Sequence, residues 1–354
     1  MAIRKHISNL AAALACVLAV SCAKNSTESS GAATKRAFDA WVYVHYPQAV
    51  PVGSGVYIIE DAPGTGEEVA DSAYLFIEYE QRKMEDSSLV SYTSEKLAKQ
   101  MGTYTPAGNY GPTLMRLARG NASQGVIDML TGGGKDRMRI GGRRTAIIPG
   151  WLTSTSTYYD DGDGSRYVDN VSGDNTIYSI AVTDHTKDIM KWQVDRIEEY
   201  MESHGIAKED TTGHYGLYYW RNKAREASRG VKVLDDVSFP SDTTIYINYV
   251  GRLLSGKVFD TNISDTAKVW DIFSTSSSYT PSAVIWNADS TAITLGGNKV
   301  ISGFSRTLWR MHPYESGIGL FTSDYGYGTS GSGDAIRAYT PLVFEIDIVD
   351  KPSN

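Results

Sequence analysis

The sequence predicts an α+β chain of two similarly built domains joined by a helix, and three observations carry that expectation. Leu342, Phe344, Ile346 and Ile348 alternate with Val343, Glu345, Asp347 and Val349, the pattern of a half-buried strand. Ile301, Phe304, Leu308 and Met311 recur at steps of three and four, with Ser302, Ser305, Arg306 and Arg310 off that stripe, as in a short amphipathic helix. Both patterns, with the segments before them, occur a second time in the first half of the chain.

In chain order, residues 1–22 read as an address. Arg4, Lys5 and His6 form a basic start, Leu10 to Val20 is an apolar run too short to span a bilayer, and Ala19-Val20-Ser21-Cys22 reads as a lipoprotein cleavage box. Cys22 is the expected lipidation site, and such a box implies a bacterium. The chain's other cysteine, Cys16, leaves with the leader, which excludes cysteine catalysis and Cys-zinc sites. Residues 23–35 are small and polar and read as a flexible tether. They lack acidic residues just after Cys22, which points to an outer-membrane anchor facing the periplasm. What remains of 354 residues suffices for two domains of ordinary size.

The duplication is visible segment by segment. FDAWVYVHYPQAVPVGSGVYII leads into AYLFIEYE, as MKWQVDRIEEYMESHGIAKEDTTGHYGLYYW leads into TIYINYVG. GVIDMLTGGGKDRMRIGGRRTAIIPGWL parallels KVISGFSRTLWRMHPYESGIGLFTSDYGYG, and NTIYSIAVTD parallels TPLVFEIDIVD. The expected domains are 36–183 and 213–350, with 184–212 as connecting helix and linker. Ile189, Trp192, Val194, Ile197, Tyr200 and Met201 form the helix's apolar stripe, and no proline breaks it.

The order V-I-x-G-F (Val300 to Phe304), D-Y-x-Y-G (Asp324 to Gly328), a later Ile336 and T-P-L-V-F-E-I (Thr340 to Ile346) resembles the C-terminal half of an FKBP-type peptidyl-prolyl isomerase domain. TTIYINYVGRLLSGKVFDTN resembles the same family's first hairpin. The resemblance covers most of residues 213–350 and implies, for each half, an antiparallel sheet wrapped around a short helix. It also implies catalysis without nucleophile, cofactor or metal. X–Pro rotation faces a barrier of about 18–20 kcal/mol because amide resonance must be broken. A dry aromatic pocket favours the less polar twisted amide by differential binding. The 23 Tyr, 8 Phe and 7 Trp fit that requirement.

Carried over by position, the resemblance implies a pocket of Tyr249, Phe259, Asp260, Val300, Ile301, Phe304, Tyr327, Ile336 and Phe344. The V-I pair supplies a backbone N–H to a substrate carbonyl, and Phe304 stands where the family usually has a tryptophan floor. Asp260 is the sharpest residue, since a carboxylate after a hydrophobic strand has no packing role and is costly to bury unpaired. Residues 261–290 are an insert of roughly thirty residues by the family's pattern, bearing Trp270, Phe273, Tyr279 and Trp286, and Thr291 falls where another pocket wall belongs. In the first half Tyr79 is retained, the F-D pair falls on Val90-Ser91, the floor on Leu130, and Pro149-Gly150-Trp151-Leu152 plus an insert replaces the tyrosine loop. That copy reads as a non-catalytic spacer or peptide-binding module.

Other chemistries find no support. A net charge of −7 leaves no footprint for nucleic acid. The basic run Lys135 to Arg144 alternates with apolar residues, as in a strand pair with one solvated face. Asp160, Asp161, Asp163 and Asp169 cluster, but from Asp161 the sixth and twelfth positions are Arg166 and Ser172, not the Gly and Glu of a calcium loop. Gly132-Gly133-Gly134-Lys135-Asp136 lacks phosphate-loop spacing, and His45, His185, His204, His214 and His312 lack zinc-ligand spacing. Two readings stand: a lipid-anchored envelope prolyl isomerase acting on proline-containing polypeptide clients, or an inactive module that kept the fold to bind peptides or scaffold an envelope complex.

Overall fold

The computed structural model of the chain describes residues 30–155 and 173–352. The leader, Cys22 and the acidic cluster at 160–169 lie outside the described residues. The first half runs α1 (Ser30–His45), β1 (Pro51–Val52), β2 (Val56–Ala62), β3 (Tyr74–Lys83), β4 (Leu89–Tyr92), α2 (Glu95–Met101), β5 (Thr113–Arg116), α3 (Gln124–Thr131), β6 (Arg143–Ile148) and β7 (Thr176–Thr186). Its antiparallel strands are ordered β1-β2-β6-β7-β3-β4, with β5 also on β3. Helix α4 (Ile189–Ser203) follows. The second half runs β8 (Thr212–His214), β9 (Leu217–Arg221), α5 (Lys223–Arg229), β10 (Thr243–Leu253), β11 (Val258–Thr261), α6 (Ser264–Val269), β12 (Ser282–Trp286), β13 (Thr294–Leu295), β14 (Asn298–Lys299), α7 (Ser302–Trp309), β15 (Ser316–Phe321) and β16 (Leu342–Val349).

The second sheet is ordered β14-β13-β12-β10-β16-β15-β9-β8, with β11 on β10. The order β1-β2-β6-β7-β3 corresponds to β8-β9-β15-β16-β10, with β4 and β5 answering β11 and β12; β13 and β14 are additions in the second half. The last strand lies between the long third strand and the strand that follows the crossing helix. The duplication read from sequence is therefore a duplication of topology.

Helix α7 lies close on its sheet because two glycines make room. A Cβ on Gly303 would come within 2.4 Å of the Phe321 ring, and one on Gly319 within 2.0 Å of Thr307 Oγ1. Phe304 and Leu308 thereby reach the core shared with Ile247, Ile346 and Ile348. In the first half Gly125 on α3 meets Ile148 in the same way, at 2.2 Å.

Helix α4 starts where the Asp188 carboxylate accepts from the N–H groups of Met190 and Lys191. Ile197 and Met201 pack with Tyr218, Leu320 and Val343 on the outer face of the second sheet. The fully buried Gln193 accepts from Ser323 N–H at 2.7 Å and donates to Ser323 Oγ at 3.1 Å. On its other side Trp192 stacks on Phe76 of the first sheet, centroids 4.2 Å apart, and donates to Asp184 at 3.0 Å. The helix thus grips both halves. A cleft of ≈ 700 Å³, lined in part by Phe76, Trp192, Tyr200, Leu253 and Pro341, opens beside it.

Several expectations need correction. Helix α1 reaches back to Ser30, so residues 30–35 are helical rather than tether. Strand β7 continues to Thr186, past the boundary expected at 183. Strand β16 is covered on both faces. Val343 lies under α4, and Asp347 is buried between Arg225, Arg229 and the Ser316 hydroxyl. The run Lys135 to Arg144 is mostly loop, with only Arg143–Ile148 in a strand. Three of its four arginines pair with carboxylates, Arg137 with Asp71, Arg139 with Glu68, and the fully buried Arg144 with Asp61 and Asp136, while Arg143 donates to the Ser179 hydroxyl.

Candidate active site

The floor of the site is a ring cluster built by three elements. Phe304 of α7 meets Phe344 of β16 edge to face at 5.1 Å, and Phe259 of β11 meets Phe344 the same way at 5.6 Å. Tyr249 of β10 stands over both, 5.8 Å from Phe304 and 6.4 Å from Phe344. Phe304, Phe344 and Ile336 are buried; Tyr249, Phe259, Val300 and Ile301 are half-buried against the same cluster. Asp260 and Tyr327 are exposed at the rim. The cluster is therefore packed below, with Asp260 and Tyr327 exposed at its edge.

Register explains why the rings converge. Gly251 pairs with Asp260 on one side and with Phe344 on the other. A Cβ there would lie 2.7 Å from the Phe259 ring and 3.0 Å from Phe344, so glycine is what lets Phe259 fold across its neighbour strand. Asn262, 4 % exposed, locks the hairpin. Its Oδ1 accepts from Tyr249 N–H at 2.8 Å, while its Nδ2 donates to Ile247 O, Thr280 O and Ser282 Oγ. The Thr261 hydroxyl donates to Tyr249 O at 2.6 Å. Gly251, Thr261 and Asn262 were not singled out by sequence. The signal for Asn262 was an amide two residues after the key carboxylate, whose several hydrogen-bonding positions suit a clamp.

The one carboxylate among the nine expected residues carries the electrostatics. Tyr249 Oη donates to Asp260 Oδ2 at 3.0 Å. Desolvation raises the Asp260 pKa despite its exposed face, working against the hydrogen bonds from Tyr249 and the Thr261 N–H. Burial and the Asp260 charge both raise the Tyr249 phenol, which stays protonated as a donor. Tyr327 is raised by desolvation first and then by Asp260. Ile301 is the N-cap of α7, and among the described residues nothing accepts from its N–H.

Seven of the nine expected residues thus belong to or pack on one cluster, Asp260 joins it through Tyr249, and Tyr327 lies within electrostatic reach of Asp260. The insert's aromatic rings are engaged elsewhere. Phe273 stacks on Tyr279 at 4.8 Å, Trp270 lies beneath Arg252, and Trp286 packs in the core against Phe239. Thr291 is exposed in a turn capped by Asp289.

In the first half, register places Gln81 opposite Ser91 and Tyr178, as Gly251 stands opposite Asp260 and Phe344. Tyr79 and Tyr178 keep a ring contact at 5.7 Å. The F-D positions are Val90 and Ser91, as read from sequence. The floor position is not Leu130. Gly125 and Gly303 are each the second residue after the N-cap and let each helix lie on its sheet, so Val126 stands at the position of Phe304 and Leu130 at that of Leu308.

Compared with known proteins, residues 237–349 match the family model for FKBP-type peptidyl-prolyl cis-trans isomerase. Among solved structures, the chain is 13% identical to the three FKBP domains of wheat FKBP73, covering 83% of this chain and 93% of that one, at a TM-score of 0.27. It is 24% identical to a peptidyl-prolyl cis-trans isomerase from Pseudomonas syringae, covering 47% and 97%, at 0.28. It is 20% identical to FkpA from Escherichia coli, covering 46% and 62%, at 0.29. Those superpositions are too loose to add geometry, and the family likeness rests on the model match over residues 237–349.

Proposed function

We propose that the C-terminal domain, which belongs to the FKBP-type peptidyl-prolyl cis-trans isomerase family, turns over X–Pro bonds of polypeptide clients in the hollow of Tyr249, Phe259, Asp260, Val300, Ile301, Phe304, Tyr327, Ile336 and Phe344. Phe304, Ile336 and Phe344 form the apolar seat for the proline ring. The free Ile301 N–H holds a substrate carbonyl and fixes the peptide while the imide turns. Water is excluded below, so the less polar twisted imide is favoured over the planar one. A carboxylate at Asp260, held by Tyr249, opposes the negative oxygen that amide resonance builds and so weakens the planar form. The observation that carries this reading is the Tyr249–Asp260 hydrogen bond at the rim of a ring-packed floor.

The test is isomerisation of a proline peptide by the full chain beside Asp260→Ala. Wild type is expected to turn over, and the variant to lose about tenfold or more in kcat/KM. Equal null rates for both remove the enzyme reading and leave a peptide-binding scaffold.

The box at Ala19-Val20-Ser21-Cys22 supports a companion proposal, that Cys22 carries a lipid anchoring the chain in a bacterial envelope, facing the periplasm. Labelling with a fatty acid during expression tests it: label lost in Cys22→Ser supports the anchor, and an unlabelled wild type overturns it.

A further inference from the structure

We propose that the N-terminal domain is a positioning element of the C-terminal hollow, holding the loop that carries Tyr327 and Ile336 through one arginine, Arg337; this rests on the isomerase reading above.

The contact is built from main chain on one side and side chain on the other. Arg337, the residue after Ile336, donates from Nη1 to Gly111 O at 2.8 Å and to Pro112 O, and from Nη2 to Asn109 O. Asn109 N–H returns a bond to Asp334 O at 2.8 Å. Lys257, two residues before Phe259, donates to Gly108 O. Tyr74 of β3 packs edge to face on Tyr339 at 5.5 Å. One short segment, residues 108–112, therefore touches both structures that flank the hollow, the β10–β11 hairpin and the tyrosine loop.

That segment is stiff enough to act as a template. Gly108 N–H donates to Thr105 O, Gly111 N–H to Thr93 O, and the Tyr110 hydroxyl accepts from Thr105 N–H. Tyr104 stacks on Tyr110 at 5.6 Å. The three carbonyls converge on a planar guanidinium, whose fork of donors suits them as a lysine's single ammonium does not. Among the described residues no carboxylate pairs with Arg337, so the carbonyls are its counterpart.

From Arg337 the order passes into the hollow along backbone hydrogen bonds. Ser332 and Ile336 exchange both, at 2.7 and 3.1 Å. Gly331 N–H donates to Tyr327 O, and Tyr339 N–H to Gly328 O. Fixing residues 334, 337 and 339 from outside fixes Ile336 and the base of Tyr327. A Gly- and Ser-rich loop has little of its own to set that geometry.

The test uses the full chain with Arg337→Ala, Arg337→Lys and Tyr74→Ala, read by amide hydrogen exchange and by proline-peptide kinetics. In Arg337→Ala, exchange at Ser332, Ile336 and Tyr339 is expected to quicken about tenfold or more, with Leu308 of the floor helix unchanged. The kcat/KM is expected to fall about tenfold, mainly through KM, because the Tyr249–Asp260 pair is untouched. Arg337→Lys should recover part of both, and Tyr74→Ala should show a weaker version. Unchanged loop exchange overturns the proposal, as does faster exchange with unchanged kcat/KM. A wild type without turnover defeats the isomerase reading, while the exchange measurement still decides whether the N-terminal domain holds the loop.

Discussion

The two halves share a backbone and differ in what they hang on it. Strand for strand, Tyr79 answers Tyr249, Tyr178 answers Phe344, and the glycine that seats the helix is kept as Gly125 and Gly303. Where the C-terminal half places Gly251, Phe259, Asp260 and Phe304, the N-terminal half places Gln81, Val90, Ser91 and Val126. The first set makes a packed ring cluster with a carboxylate at its edge, the seat of the proposed pocket. The second makes none: Val90 is 49% exposed, and the Ser91 hydroxyl is tied to the Gln81 side chain at 2.9 Å. The sheet is therefore specified by positions that both copies keep, and the ring cluster with its carboxylate by four that only one keeps. Pocket chemistry can decay while the fold persists, because the N-terminal replacements still suit the sheet and Val126 still fills its core in place of a ring.

Moving the C-terminal residues toward their N-terminal counterparts sharpens this comparison. Gly251→Gln is expected to cost most, about a hundredfold in kcat/KM, because its Cβ lands inside van der Waals range of the Phe259 and Phe344 rings and forces both to move. Phe304→Val keeps the strand register but deepens and loosens the floor, and about tenfold is expected. Its stability cost is about 2–3 kcal/mol for the lost buried ring. Peptide kinetics beside denaturant unfolding separates the two effects. Comparable activity in wild type and Gly251→Gln would break the claim that glycine builds the hollow.

How much of this was legible beforehand follows from the kind of signal each residue leaves. Tyr249 and Phe344 could be read because the first-hairpin and last-strand patterns resemble the family's; alternation alone gives only the face they take. Asp260 could be read because a carboxylate at the end of an apolar strand has no packing reason to be there. Val126 was missed because matching the apolar residues of GVIDML to VISGF without a gap shifts the helix by four, and only the seating glycine shows the true phase. The outer face of β16 looked solvated because Glu345 and Asp347 alternate with its apolar residues. Burial of Asp347 depends on Arg225 and Arg229, more than a hundred positions away in the chain. The Arg337 clamp left no trace at all, since its partners are carbonyls, which every residue has.

The finest test of the comparison is electrostatic, because one copy has a titrating group at this position and the other has serine. Desolvation raises the Asp260 pKa in the folded chain above its ordinary value. Below the ordinary carboxylate range both folded and unfolded states hold the proton, and the group contributes its full share. As pH rises, the unfolded carboxyl ionises first, so the native state binds more protons and stability is lost until the folded carboxyl also ionises. Asp260→Asn keeps an acceptor for Tyr249 but cannot titrate. Its midpoint temperature relative to wild type should therefore rise across that interval and level off above it, while isomerase activity falls. The shift is small, since much of the carboxylate still faces water. Thermal melts of both proteins across the acid range check it. A difference that stays flat, or that favours wild type as pH rises, would mean that the carboxylate is as well solvated in the folded chain as in the unfolded one. The mouth of the hollow would then be too wet to favour a twisted imide.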